Sequence, residues 1–199
     1  KLWLDVLESL KREGALEALA AEILTHYAKG RVAVAVDGAE GSGSREFATD
    51  LAAVLVRRGH AAEVAHVDDF QRPRAERGEA TPEGRYRDAF DYSVLRRVLI
   101  DPFRLGGSAA FVLAAFDADA DQPLEPTWTT APASTILLVE GEYLLRSDLR
   151  SIWNFSIWLD GQGEPLAKYV ADAEPRTRAS AIVDNSDPES PRRVFADSC

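Results

Sequence analysis

Three glycines, Gly38, Gly41 and Gly43, lie between a short apolar run and a helical pattern. The apolar run, residues 31–36, is rich in β-branched side chains and is typical of a buried parallel strand. Residues 47–56 repeat their apolar side chains at helical spacing. Glycines at such a turn let backbone N–H groups point at an anion, and the helix N-terminus adds its dipole. The stretch predicts a cradle for a phosphate or another oxyanion; the alternative is a turn without a ligand.

The predicted cradle has the glycine spacing of a Walker A motif but lacks its lysine. Ser44 stands in the lysine position and Arg45 in the Ser/Thr position, and the helical pattern stays in register after them. Losing a preorganised cation at a transferring phosphate costs on the order of 3–4 kcal/mol. Arg45 is a candidate replacement, although it could equally point into solvent. The residues predicted to bind the phosphates are Gly38, Ala39, Glu40, Gly41, Ser42, Gly43, Ser44 and Arg45.

Acidic side chains follow three predicted strands. Asp68 and Asp69 end the first, Glu140 the second and Asp160 the third. The ends of parallel strands lie at one edge of a sheet, which is also the edge of the glycine loop. One carboxylate there can bind Mg²⁺, and a neighbour can accept a proton from an attacking hydroxyl. A single strand-end acid could simply cap a turn, but the acids and the loop together favour phosphoryl transfer.

Composition excludes several classes of partner. The net charge of −10 and the pI near 4.8 argue against nucleic acid or an anionic membrane surface. We find neither an apolar run long enough to span a membrane nor a signal-peptide pattern. The single cysteine, Cys199, excludes an intramolecular disulfide and a thiolate metal site, and it favours a cytoplasmic location. The 199 residues fit a single domain, with a helical segment over residues 1–30 packed on it.

The order of the predicted elements indicates a doubly wound, mostly parallel sheet with helices on both faces. Residues 1–29 are predicted to form an amphipathic helical segment, with Gly14 as a candidate break. A second helix is predicted over residues 91–100 and is ended by Asp101 and Pro102. Residues 71–86 form a polar loop rich in arginine, of a length typical of a substrate lid or wall. The remaining strands are expected at residues 61–67, 109–116, 134–139, 153–160 and 178–185.

Five stretches in order resemble the uridine kinase-like branch of the P-loop kinases: VAVDGAEGSG, HVDDFQRPRAERG, YRDAFD, ILLVEGEYLL and RASAIVDNSDP. The resemblance implies an α/β, three-layer P-loop NTPase fold with a mostly parallel sheet of about five strands. It also implies transfer of the γ-phosphate of ATP, with Mg²⁺, to a hydroxyl of a small molecule. Asp68 would be the catalytic base and Glu140 would assist the metal. The predicted substrate contacts are Asp69, Phe70, Asp91 (or Asp88), Phe116 and Asp117.

The sequence departs from this branch at three places. The Walker A lysine is absent, and the substrate motif is reduced to Phe116 and Asp117, without the aromatic and histidine that hold uracil. Residues 161–165 stand where the branch has an arginine-bearing lid. Arg176 and Arg178 could replace lid arginines, or the stretch RASAIVDN could form the last strand of the sheet. Two hypotheses stay open: a working phosphotransferase, and a non-catalytic homologue that binds a nucleotide, an anion or a protein partner. A homo-oligomer is compatible with either.

Overall fold

The computed structural model describes residues 1–195, with only the backbone for residues 8 and 9, and it is built on a six-stranded sheet. Its strands are β1 (Val32–Gly38), β2 (Ala62–His66), β3 (Ile136–Gly141), β4 (Phe155–Asp160), β5 (Ala181–Asp184) and β6 (Arg192–Val194). Their order across the sheet is β6-β5-β4-β1-β3-β2. Strands β1 to β5 are parallel and β6 is antiparallel. The α/β fold class is therefore confirmed, with one antiparallel strand beyond the five expected.

The parallel register brings the expected functional segments to one edge of the sheet. β1 lies between β3 and β4, with Val36 opposite Glu140 and Gly38 opposite Leu159. On the other side of β3, His66 at the end of β2 is also opposite Glu140. All of these strands run in the same direction, so the loop after β1 and the segments after β2 and β3 leave the sheet together.

Helices cover both faces of the sheet. They are α1 (Leu2–His26), α2 (Ser44–Arg57), α3 (Pro82–Asp88), α4 (Tyr92–Val94), α5 (Asp101–Leu105), α6 (Ala167–Ala173) and α7 (Pro175–Arg178). α1 and α2 pack on one face through side chains such as Ile23 and Leu51. The opposite face is covered by α4, α5 and α6, with Leu99 and Tyr169 in its core. The result is the expected three layers.

Two helix boundaries differ from the sequence prediction. α1 continues without interruption through Gly14, which is exposed and has room around it. The second helical segment continues past Asp101, because a π-helical turn over Leu95–Ile100 joins α4 to α5. The N–H of Asp101 donates to the carbonyl oxygen of Arg96, five residues back. Pro102 has no N–H to donate, and widening the turn before it keeps the helix going.

The prediction of a strand at residues 109–116 was wrong. Phe111–Val112 pairs with Trp128–Thr129, and Phe116–Asp117 pairs with Gln122–Pro123, both antiparallel and both outside the main sheet. Phe111, Val112 and Phe116 are buried by local packing; the Phe111 ring, for example, meets the ring of Phe103 edge-on at 5.5 Å between centroids. The run of apolar residues at 109–116 therefore reflects burial of these side chains and not a strand of the main sheet.

The polar segment after β2 is partly helical. It contains one 3₁₀ turn over Arg74–Glu76 and helix α3, whose N-terminus is capped when the side chain of Thr81 accepts from the N–H of Gly84. Among the described residues, no helix combines the length and the apolar character needed to cross a membrane. Cys199 lies outside the described residues.

Candidate active site

The glycine loop has the conformation expected of an anion cradle. Gly41 and Gly43 have φ values of 85° and 82°, in the left-handed region that favours glycine. The N–H of Ser42 donates to the carbonyl oxygen of Ala39 at 2.9 Å and closes the turn, and α2 then begins at Ser44. The N–H groups in the first turn of a helix have no intrahelical acceptor. They are therefore available at the point where the dipole of α2 favours an anion.

The back of the loop is held by two distant segments. Asn185, after β5, is buried and its side-chain amide donates to the carbonyl oxygen of Ser42 at 2.8 Å. A methyl group on Gly163 would lie 1.7 Å from the carbonyl oxygen of Glu40, so this short segment packs directly on the loop. Ser42 itself is only 2% exposed and lies beneath the loop. Ser42 does not line the small cavity that the other loop residues share.

A buried carboxylate joins the loop to the neighbouring strands. Glu140 is 4% exposed, and its Oε2 accepts from the hydroxyl of Ser44 at 2.6 Å. Its Oε1 lies 2.6 Å from Nδ1 of His66, which donates when that nitrogen carries the proton. The hydroxyl that is missing at position 45 is thus present one residue earlier, where the motif has its lysine. We had not expected a hydroxyl beside Glu140.

The donor atoms around Glu140 suit Mg²⁺. A carboxylate and a hydroxyl are hard oxygen donors, and Mg²⁺ usually keeps several waters while it binds one or two carboxylates and phosphate oxygens. Within the described part of the chain, no cluster of three or more His, Cys, Asp or Glu side chains could hold a metal by itself. The set therefore fits a metal ion that arrives with a phosphate ligand better than a permanently bound one.

Most of the predicted site residues meet in one cavity of about 190 Å³. Seven of the eight predicted loop residues line it, all except Ser42, and so do Asp68 and Glu140. A larger cavity of about 870 Å³ lies next to it, walled on one side by residues 77–82 and on the other by residues 164–167. The two cavities share Glu40, Arg85 and Glu142. The small cavity and the larger one therefore adjoin at these three residues.

Arg85 lies at the boundary of the two cavities and was not singled out from the sequence. Its Nη2 donates to Oδ1 of Asp68 at 3.3 Å, and its Nε donates to Oε1 of Glu142 at 3.0 Å. The guanidinium also lies over the ring of Phe90, 5.0 Å from the centroid. The available signal was its position in the arginine-rich segment 71–86, directly before the family-like stretch YRDAFD.

Asp69 and Phe70, predicted to contact substrate, line neither cavity. The Asp69 side chain is half-buried, and burial raises the pKa of its carboxyl group despite the nearby His66 and Arg45. Phe70 is 1% exposed and belongs to the core beneath the sheet. In the 3₁₀ turn over Val67–Phe70, only Asp68 lines the small cavity.

The other predicted substrate contacts have local structural partners instead. Asp91 caps α4, because its Oδ1 accepts from the N–H of Val94 at 3.0 Å. Phe116 is buried, and Oδ1 of Asp117 accepts from the N–H of Asp119 at 3.0 Å within a turn. None of Asp91, Phe116 and Asp117 lines either cavity. Packing, capping and turn formation account for their positions.

The third strand-end acid is engaged away from the loop cavity. Asp160 is paired with Arg176 through Oδ2, and its Oδ1 accepts from the indole N–H of Trp158 at 2.7 Å. Arg176 therefore holds the end of β4 where it stands, and the segment that follows it leads into β5, the second of the two roles considered for it.

Asp37 is a buried acid that the sequence analysis missed, although it lies inside the stretch VAVDG. It is completely buried in β1, one residue before the loop. Its carboxylate accepts from the hydroxyl of Tyr169 on α6 and from the N–H of Leu144 at 3.3 Å. Burial raises the pKa of Asp37 to about 7, in spite of these hydrogen bonds. Asp37 thus ties α6 and the segment after β3 to the strand that carries the loop.

Comparison with known proteins gives structural matches only: no protein-family profile and no curated protein sequence matches the chain. The fold is similar to that of a possible uridine kinase from Bacillus stearothermophilus, with 25% identity, a TM-score of 0.75, and coverage of 86% of this chain and 98% of the other. It is also similar to a candidate fructose transport system kinase from Silicibacter sp. TM1040, with 27% identity, a TM-score of 0.59, and coverage of 79% and 78%.

Both neighbours are described as kinases, and both align over most of their length. The strand order found here sets the loop strand between β3 and β4. The chain is therefore a structural relative of the uridine kinase-like P-loop kinases and has the α/β fold of the P-loop NTPases.

Proposed function

We propose that the protein is an ATP-dependent phosphotransferase that phosphorylates a hydroxyl group of a small molecule. The observation that carries the proposal is the single cavity that joins seven loop residues to Asp68 and Glu140, and that opens into a larger pocket. The loop supplies backbone donors for phosphates, and the larger pocket supplies space for an acceptor. The low identity to the kinase neighbours leaves the acceptor to be identified by experiment.

Asp68 is the proposed base. It accepts the proton of the acceptor hydroxyl while the hydroxyl oxygen forms a bond to the γ-phosphorus. The bond from that phosphorus to the β–γ bridging oxygen breaks, and ADP leaves with the electron pair. The side chain of Asp68 is 54% exposed and faces the cavity, so a hydroxyl can reach it. The pair with Arg85 holds its carboxylate at this position.

Glu140 and Ser44 are the proposed holders of Mg²⁺. The ion would neutralise charge on the phosphates when it is bound. Glu140 keeps a fixed orientation, because each of its carboxylate oxygens has one partner, Ser44 or His66. Arg45, at the start of α2, lines the same cavity and supplies positive charge on the nucleotide side.

A second candidate function is binding without catalysis. It is favoured by two observations. The lysine position is filled by Ser44, whose hydroxyl already donates a hydrogen bond to Glu140. Gly163, in the short segment that stands where the resemblance implies an arginine-bearing lid, packs closely on the loop. In this alternative the loop would bind a nucleotide or another anion as a structural or regulatory ligand.

The double variant Ser44→Lys, Arg45→Thr separates the two candidates. It restores the missing motif, and we expect it to raise the rate of ADP formation by roughly 10²–10³ if the rest of the site is competent. The assay couples ADP release to a panel of nucleosides, sugars and polyols, after ATP·Mg²⁺ binding has been measured by calorimetry. Binding with no turnover in either protein would favour the binding function, and no nucleotide binding by the wild type would refute the proposal.

A further inference from the structure

The boundary between the two cavities contains one cation. The cavities share Glu40, Arg85 and Glu142, and of these only Arg85 is positively charged. If the nucleotide phosphates occupy the small cavity and the acceptor the large one, the transferred group must pass through this boundary. We propose that Arg85 binds the γ-phosphate of ATP and supplies part of the positive charge that the missing lysine would otherwise provide. This inference rests on the proposed function.

The side chain of Arg85 is held in place with donors to spare. Nε and one hydrogen of Nη2 are used by Glu142 and Asp68. A guanidinium has five N–H donors, so three remain for phosphoryl oxygens. The side chain is 33% exposed, and its stacking on Phe90 fixes the plane of the guanidinium. Such a planar group matches the oxygens of a phosphate.

The other nearby arginines lie on one side of the boundary. Arg45 lines the small cavity and, on its other side, a surface pocket with Glu46 and Thr49, so it belongs to the nucleotide side. Arg74 and Arg77 line only the large cavity. Of the arginines that line these cavities, Arg85 alone reaches both.

Arg85 also contacts the proposed base, which couples two parts of the reaction. As Asp68 takes the proton and the bond to the β–γ bridging oxygen breaks, negative charge is spread over the three equatorial oxygens of the phosphoryl group. The guanidinium of Arg85, which is hydrogen-bonded to Asp68, lies next to these oxygens and balances their charge. Arg85 is thus assigned as a catalytic residue that touches the transferred group.

The test compares nucleotides that differ by the γ-phosphate. Calorimetry with Mg²⁺ gives Kd for ADP and for a non-hydrolysable ATP analogue in the wild type, in Arg85→Gln and in Arg87→Gln. Arg87 is the matched control, because it lies on the same helix and is paired with Asp88 outside both cavities. We expect the wild type to prefer the triphosphate, and Arg85→Gln to reduce that preference about 10-fold or more. Arg87→Gln should keep the wild-type preference.

Each other outcome overturns a stated part of the reasoning. If Arg85→Gln weakens both nucleotides equally or leaves the preference unchanged, Arg85 has a structural role and the inference fails while the proposed function stands. If the wild type binds neither nucleotide, the proposed function fails and this inference fails with it. If Arg85→Gln does not fold, Arg85→Met is measured instead. Methionine is a long, unbranched side chain without charge or N–H donors, so a preference equal to that of the wild type would overturn the inference.

Discussion

Asp37 offers a direct test of how the edge of the sheet is built. Its carboxyl group is fully buried, and burial raises its pKa from 3.8 to about 7. Between these two values the folded chain keeps a proton that the unfolded chain has lost. The contribution of Asp37 to the free energy of unfolding is therefore fully present below pH 3.8 and is lost as the pH rises through about 7. The wild-type free energy of unfolding should fall over this window because of Asp37.

The variant Asp37→Asn removes this titration while keeping the size of the side chain. Each pH unit of the window corresponds to about 1.4 kcal/mol, so the wild type loses about 4 kcal/mol in total and about 3 kcal/mol between pH 5 and pH 8. The amide cannot accept from both Tyr169 and the N–H of Leu144, which costs about 1 kcal/mol at every pH. The free energy of unfolding of the variant, relative to wild type, is expected to rise by about 3 kcal/mol from pH 5 to pH 8.

Urea unfolding followed by tryptophan fluorescence measures this difference. The range from pH 5 to pH 8 stays above the pI of about 4.8, where solubility is low. Asp117→Asn is the control, because Asp117 is a half-buried acid in a turn far from this cluster. Parallel curves for wild type and Asp37→Asn over the whole range would refute the reasoning. They would mean that Asp37 is already ionised in the folded chain at pH 5.

Two further predictions test the packing around the loop and the continuity of α1. Gly163→Ala would place a methyl group 1.7 Å from the carbonyl oxygen of Glu40, so we expect a loss of about 1–3 kcal/mol in urea unfolding; an unchanged midpoint would contradict the close packing. Gly14→Ala introduces a better helix former at an exposed helical position with nothing within 4 Å, so we expect a gain of about 0.5–1 kcal/mol. A loss of stability would show that α1 is interrupted there.

The central sheet could be predicted because its physical causes are local. Parallel strands covered on both faces need continuous apolar runs, and the runs in β1, β3 and β4 stand out for that reason. The acids after β2 and at the end of β3, Asp68 and Glu140, were therefore predicted at the edge that carries the loop. The order of strand, glycine loop and helix was likewise visible without tertiary information.

The segments outside the sheet were less accessible to prediction. Phe70 and Phe116 were assigned to substrate through the family resemblance, yet both are buried. Two-residue ladders such as Phe116–Asp117 with Gln122–Pro123 are too short to produce a periodic pattern. An aspartate such as Asp91 can cap a helix or bind a substrate hydroxyl, and its position in the sequence does not distinguish the two roles.

The sequence by itself determined the α/β class, the position of the anion loop and the edge where its partners lie. The tertiary structure decided which side chains meet there. The contact of Asn185 with Ser42 joins residues 143 positions apart, and the bond from Ser44 to Glu140 joins residues 96 positions apart. Such contacts depend on how strands far apart in the chain align and how helices pack across them. Local spacing fixes the direction in which a segment leaves the sheet, whereas only long-range packing fixes the partner that its side chains find.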